Sequence, residues 1–336
     1  MIKYVKYILL SGLLLVILVI IVELALGILF HFKDRGLEPM AIHDFPYLYY
    51  LFDSVPGLNV HGFKTAYPVE KKAGHFRIVL VGGSVARGRE PEQSIAYYLE
   101  QKLNAAFHTN RIEVINAGMS AYVVEQEFLL IQLIVQHYEP DVIIGLDGYN
   151  DLLTVILNRR NRAEFELPPH HWEYLRFVET LQKENQRWRA LSLLFSNINR
   201  AVQFLRQRQY ERQFDWETFV REKSGAVSRR YWQIIDDTHA FCKAKGISYY
   251  SFFQPVRFAA SPVNSDDRRR QALQVLYRTL EKGTHERNFA FSLADLLGNN
   301  PQWFLDDCHV TAAGHEKIAE AMAMRLGPEV EAWLEN

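Results

Sequence analysis

Residues 77–88 read RIVLVGGSVARG, an apolar and largely β-branched run that stops at two glycines and a serine. Positions 78–81 are too few for a helix and are bounded by a turn signal, so they predict a buried strand of a parallel sheet. Gly82 and Gly83 allow the chain to turn sharply. That leaves Ser84 at the strand's carboxyl end, ahead of a helix predicted over about residues 93–107. Open α/β sheets bind ligands at that edge, and a backbone N–H near a helix start is disposed to face an anion. On these residues alone, a glycine-rich turn with an incidental serine explains the stretch as well as a reactive serine does.

Working outward, the same pattern recurs. Residues 112–115 form a second β-branched run and end in Asn116-Ala117-Gly118. Residues 141–146 form a third, ending in Asp147-Gly148-Tyr149-Asn150-Asp151, and residues 247–253 a fourth, ending in Gln254-Pro255. A fifth strand is expected at 290–293. Helical patterns lie between them, clearest at 125–137 and 227–245. Strand alternating with helix predicts βαβ units and a parallel sheet, and right-handed crossovers bring every strand's carboxyl end to one edge. Four polar turns, three of them glycine-bearing, therefore converge there.

Two segments depart from this rhythm. Leu191, Leu194, Phe195, Ile198, Ala201, Val202 and Leu205 fall at helical spacing, which predicts an amphipathic helix over 186–212 within an insertion at about 156–225. Residues 156–214 hold 11 Lys and Arg against 6 Asp and Glu, a surplus of five positive charges; a solvated face explains it, as does attraction to headgroups or an anionic substrate. At the amino terminus, residues 7–32 are almost wholly apolar and long enough to cross a bilayer. No small-residue cleavage motif precedes Phe32, so an uncleaved anchor is expected, with the bulk of the chain beyond the cytoplasmic membrane. Glu23 stands out there. It predicts a polar partner within the membrane, such as a second membrane protein, unless the span ends at about residue 22 and Glu23 reaches the interface. The expected divisions are an anchor over 1–33, a stem over 34–75 and an α/β domain over 76–336.

Composition excludes several classes. Lys and Arg number 38 against 39 Asp and Glu, a net charge of -1, so nothing points to nucleic acid. With 21 Phe, 17 Tyr and 6 Trp the chain is not a disordered one. Cys242 and Cys308 are too few for a disulfide scaffold and lack metal-ligand spacing. The glycine turn lacks the Gly-Lys-Ser/Thr ending of a phosphate-binding loop. His309, His315 and the pair His170-His171 match no familiar metal site.

Near the carboxyl terminus, residues 304–322 read FLDDCHVTAAGHEKIAEAM. Asp306 lies three residues before His309. That spacing allows a loop carboxylate to accept the imidazole Nδ1–H and leave Nε2 as a base. With Ser84 the pair makes a complete acyl-transfer set of nucleophile, base and orienter. The backbone N–H groups of Ser84 and Gly118 and the side-chain amide of Asn150 are candidate donors to an oxyanion.

The ordered blocks GGSVARG with Ser84, NAG with Gly118, GYND with Asn150 and DDCH with Asp306 and His309 resemble the SGNH subgroup of the GDSL esterases and lipases. The resemblance covers residues 77 to about 326 and leaves the helical insertion outside it. It implies a three-layer α/β/α sandwich with five parallel strands in flavodoxin-like order, and ester hydrolysis without a metal or organic cofactor. It also implies Ser84 as nucleophile, His309 as base, Asp306 as orienter, and Gly118 and Asn150 as oxyanion donors. The aspartate of the family's GDS block is Gly83 here, which predicts altered support of that loop. Asp307 is a rival orienter. Arg87, Gln254 and Arg257 follow strand ends and are candidate substrate-lining residues, with structural roles equally open.

The function expected is hydrolysis of O-acyl esters by a single-pass, membrane-anchored enzyme facing the cell envelope, with acylated carbohydrate or a lipid ester as substrate. Two alternatives use the same fold. One is an O-acyltransferase to an envelope glycan, working with a membrane partner; the other is a non-catalytic assembly or binding subunit.

Overall fold

The computed structural model describes residues 2–34, 42–45, 49–52, 58–158, 198, 201–202, 205–206, 209–210, 213–259, 267–298 and 300–335. The chain forms two compact units, residues 1–40 with 170–215 and residues 41–169 with 216–336.

The larger unit is built on five parallel strands: β3 (Phe76–Gly82), β4 (Ile112–Asn116), β5 (Val142–Asp147), β6 (Ser248–Phe253) and β7 (Ala290–Ser292). Their order across the sheet is β4-β3-β5-β6-β7, the flavodoxin-like order of an SGNH-type sandwich. After β3 the chain goes to one side of that strand for β4 and then to the other for β5, so the order reverses at β3. A crevice opens at such a switch point, outside the carboxyl ends of the strands. Strands β3, β4 and β5 are buried along their whole length, which is why each reads as an unbroken apolar run rather than an alternating one.

Helices cover both faces. On one, α3 (Ile95–Ala106) and the terminal helix α8 (Ala312–Leu334) pack together over Ile78, Leu80, Val114, Ile144 and Phe252. The apolar face of α3 is Ile95, Leu99 and Leu103, spaced by four, and Ser94 caps it by accepting the Tyr97 N–H at 3.2 Å. Emptying one such position, as in Leu99→Ala, costs about 2–5 kcal/mol. Helix α8 starts where the Thr311 hydroxyl accepts the Gly314 N–H. On the other face lie α4 (Val124–Leu133), α6 (Trp216–Ala244) and α7 (Arg268–Glu281), while α5 (Tyr149–Asn158) follows β5.

Several boundaries differ from the sequence expectation. Instead of waiting for residue 93, a one-turn helix, α2 (Ser84–Arg87), begins at the serine itself. The helix predicted over 125–137 ends at Leu133 and continues as a 3-10 turn, Val135–Tyr138, closed by Glu139 in the left-handed conformation; Pro140 follows, and a proline disfavours helix at the residue before it. The 34–74 stretch shows no period, yet it contains an antiparallel pair, β1 (Ile42–Phe45) and β2 (Tyr49–Phe52). Four residues are too few for alternation to register.

The stem's later part is tied to the sheet's amino-terminal edge. The fully buried Arg77 guanidinium donates to the Val69 and Tyr138 carbonyls and pairs with Glu113 at 2.8 Å. Removing one partner would leave the other charged and buried, a loss of about 3–5 kcal/mol.

The smaller unit contains α1 (Ile2–Asp34), of which Leu10–Leu29 is long and apolar enough to cross a membrane, with mean hydropathy 3.0. Within the amphipathic helix predicted over 186–212, the described positions 198, 201, 202, 205, 206, 209 and 210 are helical; its other positions lie outside the described residues. Inside this unit the Glu23 carboxylate accepts the Ile198 backbone N–H at 3.0 Å.

Candidate active site

Ser84 stands at the switch point because β3 ends in two glycines. Gly82 has φ +148°, and a Cβ there would come within 2.7 Å of both the Ala86 Cβ and the Leu146 carbonyl oxygen. A Cβ on Gly83 would approach the Asn150 amide nitrogen to 2.4 Å. Glycine at 83 thus allows the Asn150 amide to lie against the backbone that precedes the serine. Two strands hydrogen-bonded side by side, β3 and β5, supply these two groups.

The histidine arrives from a loop far along the chain. Residues 305–309 form a tight loop closed by the Leu305 N–H donating to the His309 carbonyl at 2.8 Å, beside a bridge between Phe304 and Val310. Within it, Asp306 Oδ1 accepts the backbone N–H groups of Cys308 (2.9 Å) and His309 (2.8 Å), an Asx-type turn that fixes the carboxylate. The other oxygen, Oδ2, meets His309 Nδ1 at 2.6 Å, and His309 Nε2 meets Ser84 Oγ at 2.7 Å. With Asp306 holding a proton on Nδ1, Nε2 is the ring's acceptor. The Asp306 carboxyl is partly desolvated, which raises its pKa. The hydrogen bonds from Cys308 N–H, the imidazole and His309 N–H outweigh that and hold it below the usual carboxylate range. It is therefore ionised wherever the imidazole needs a partner.

Asp307 does not compete for the imidazole. It is engaged by the Arg270 guanidinium, and its carbonyl accepts the Arg257 N–H at 2.9 Å. Cys308 is buried and its thiol is pushed up, first by burial and then by the adjacent Asp306 charge, so it stays a thiol beside the histidine. Cys242 is likewise free and buried, its pKa pushed up to about 12 by burial. His315 is a buried imidazole whose Nδ1 faces the Gln93 carbonyl at 2.8 Å, and burial lowers its pKa. His170 and His171 lie outside the described residues. The metal-donor group that assembles among the described residues is Asp306, Cys308 and His309, the same loop.

Of the three candidate oxyanion donors, one is engaged elsewhere. Asn150 donates one amide hydrogen to the Tyr122 carbonyl at 2.9 Å, which orients its second N–H. The Ser84 N–H is the first of α2 and has no acceptor within the helix. Gly118, however, donates its N–H to Asn116 Oδ1 at 3.0 Å, and a Cβ on it would lie 2.4 Å from the Arg87 nitrogen. It is a packing glycine whose donor is already engaged. Three residues on, Ala121 has φ +61° in the turn closed by the Tyr122 N–H to the Met119 carbonyl, the turn whose Tyr122 carbonyl Asn150 grips. An alanine in the left-handed region costs about 1–2 kcal/mol. The sequence hides it, because glycine is the signal for that conformation.

Of the candidate lining residues, Arg87 is buried and bridges the Gly62 (3.2 Å) and Gly118 (3.3 Å) carbonyls, a tie between loops. Gln254 is buried, its N–H on the Asp147 carbonyl and its own carbonyl accepting the Tyr277 hydroxyl. Arg257 is half-buried and its backbone N–H secures the 305–309 loop. A residue not singled out by sequence, Tyr149, lies against Phe258; burial first, then Cys308, Asp307 and Asp306, pushes its phenol up.

Fold and site together have the arrangement that the sequence resemblance implies: five parallel strands, a serine after the first, and a histidine with its aspartate before the last helix. No family model and no curated protein matches the sequence. Among solved structures the chain is similar to the acetyl xylan esterase AlAXEase (13% identity, TM-score 0.46, 75% of this chain and 100% of that one). It is also similar to the acetylxylan esterase Axe2 of Geobacillus stearothermophilus (15%, 0.44, 76% and 96%) and to a lipase/acylhydrolase of Enterococcus faecalis (13%, 0.43, 76% and 96%).

Proposed function

We propose that this protein cleaves carboxylic esters through a seryl-enzyme intermediate. The observation that carries the proposal is the unbroken chain from Ser84 Oγ to His309 Nε2 and from His309 Nδ1 to Asp306, at 2.7 and 2.6 Å. His309 removes the Ser84 proton as Oγ attacks the acyl carbon, and Asp306 stabilises the imidazolium. The alkoxide of the tetrahedral intermediate takes hydrogen bonds from the free Asn150 N–H and the Ser84 N–H. The Ala121 N–H replaces that of Gly118 as third donor. Collapse expels the alcohol, protonated by His309; water, deprotonated by His309, then releases the acid.

The triad is open, with the His309 and Asp306 side chains 43% and 55% exposed, so a bulky polymeric alcohol can approach. With α1 as an uncleaved anchor and the larger unit outside the cytoplasmic membrane, the substrates within reach are O-acyl groups of envelope carbohydrate. A fluorophosphonate tests the mechanism: mass spectrometry is expected to find it on Ser84 in the wild type and to lose it in His309→Ala. A folded wild-type protein that takes up no label would overturn the proposal.

A further inference from the structure

Helix α1 is exposed on nearly all sides, but Val19, Glu23, Leu26 and Gly27 are covered. These four are spaced i, i+4, i+7 and i+8, so they form one stripe along the helix. Glu23 is the most deeply covered, at 6% exposure, and its carboxylate holds the Ile198 N–H at 3.0 Å. The group that seats on the apolar helix is therefore a backbone amide from the 170–215 part of the same unit.

Glu23 lies six residues from the end of the Leu10–Leu29 span, which at 1.5 Å per residue is about 9 Å along the axis. A backbone N–H at that depth needs an acceptor, because hydrocarbon offers none. The same helical segment exposes Val202 and Leu205, at 39% and 62%, together with Arg206. Apolar residues at i and i+3 with a cation at i+4 are the pattern of a helix that lies at a lipid interface, with its arginine reaching the phosphates.

We propose that the insertion is a second membrane-associated element of this chain. Ile198 lies in the part of the bilayer nearest the carboxyl end of α1, held there by Glu23, with Val202 and Leu205 against lipid and Arg206 at the headgroups. Glu23 thereby serves a contact within the chain rather than one with a second protein. The proposal rests on α1 crossing the membrane.

The test uses the full chain in proteoliposomes of zwitterionic and anionic phospholipid, with a specific protease site inserted between Arg35 and Met40. An uncleaved chain that carbonate extracts from the membrane would overturn the spanning reading and the proposal together. With the uncleaved chain retained, cleavage is expected to leave the 41–336 fragment in the membrane pellet, and Glu23→Leu to increase its release several-fold. Release of the wild-type fragment, or equal retention in Glu23→Leu, would overturn the proposal while leaving the span intact. Bimane on Val202→Cys or Leu205→Cys is expected to be quenched by brominated lipid and bimane on Glu217→Cys not; equal quenching at all three would also overturn it.

Discussion

Glu127, Asp147 and Asp151 are all buried, on the face of the sheet covered by α4 and α6. Tyr231 and Tyr249 face them, and Arg230 pairs with Glu125. Glu127 and Asp147 share a hydrogen bond; burial, then the Asp147 charge, holds Glu127 protonated well above the carboxylate range. Burial raises Asp147 from 3.8 to about 6, the Glu127 hydrogen bond opposing it. A folded pKa above the unfolded one means the native state binds the extra proton, so this contribution is complete below pH 4 and is lost as pH rises through 6. A rise of that size corresponds to about 3 kcal/mol. Asp147→Asn keeps the shape and an acceptor for the Glu127 hydroxyl but cannot ionise. Denaturant unfolding of the full chain in detergent, at pH values from 4 to 8, should show the variant gaining about 3 kcal/mol on the wild type between pH 4 and pH 7. Differencing the two proteins cancels carboxylates remote from Asp147, such as Asp306, whose depressed pKa acts in the opposite sense; Glu127 and Asp151 lose a charge that raises them, which adds to the gain in the same direction. A difference that stays flat across this range, or that grows as pH falls, would refute the argument.

Gly83→Ala should push the Asn150 amide away, lowering kcat roughly a hundredfold with little change in KM; an unchanged kcat would show that the amide plays no part. Asp306→Asn should lower kcat by roughly 10³–10⁴ while leaving the protein folded and Ser84 accessible, because the imidazole loses its fixed tautomer. Arg87→Ala should cost about 2–3 kcal/mol of unfolding free energy, since two buried carbonyls lose a charged donor; a larger loss in KM than in stability would return Arg87 to the substrate side. Iodoacetamide should leave ester turnover intact, as the buried Cys308 thiol is held protonated, and stoichiometric inactivation by alkylation of Cys308 would contradict that.

The sheet was legible because strands buried on both faces must be apolar throughout, and 78–81, 112–115 and 141–146 could be nothing else. Ser84, Asp306 and His309 were legible because a loop carboxylate three residues from a histidine has few other uses beside a serine at a strand end. Other features stayed hidden for physical reasons. Gly118 carries the sequence signal for a special backbone, but its need is close packing on Arg87, whereas Ala121 takes the left-handed angle with a residue that advertises nothing. Glu127, Asp147 and Asp151 look like solvated charges in the sequence; only the strand and helix faces reveal that three carboxyls are buried together. Arg87 follows a strand end, as a substrate ligand would, yet folds back to join two carbonyls.

Ser84 and His309 are 225 positions apart in the chain. On the proposed mechanism the nucleophile is synthesised at the end of the first strand of the five-stranded sheet, and its base only after the last strand, just ahead of α8. Any chain that ends short of Asp306 therefore carries an unactivated hydroxyl, and even one that reaches His309 lacks the helix that seats the loop against α3. On the proposed mechanism, reactivity is therefore withheld until all five strands of the sheet have been made, and a product clipped ahead of Asp306 presents an ordinary serine.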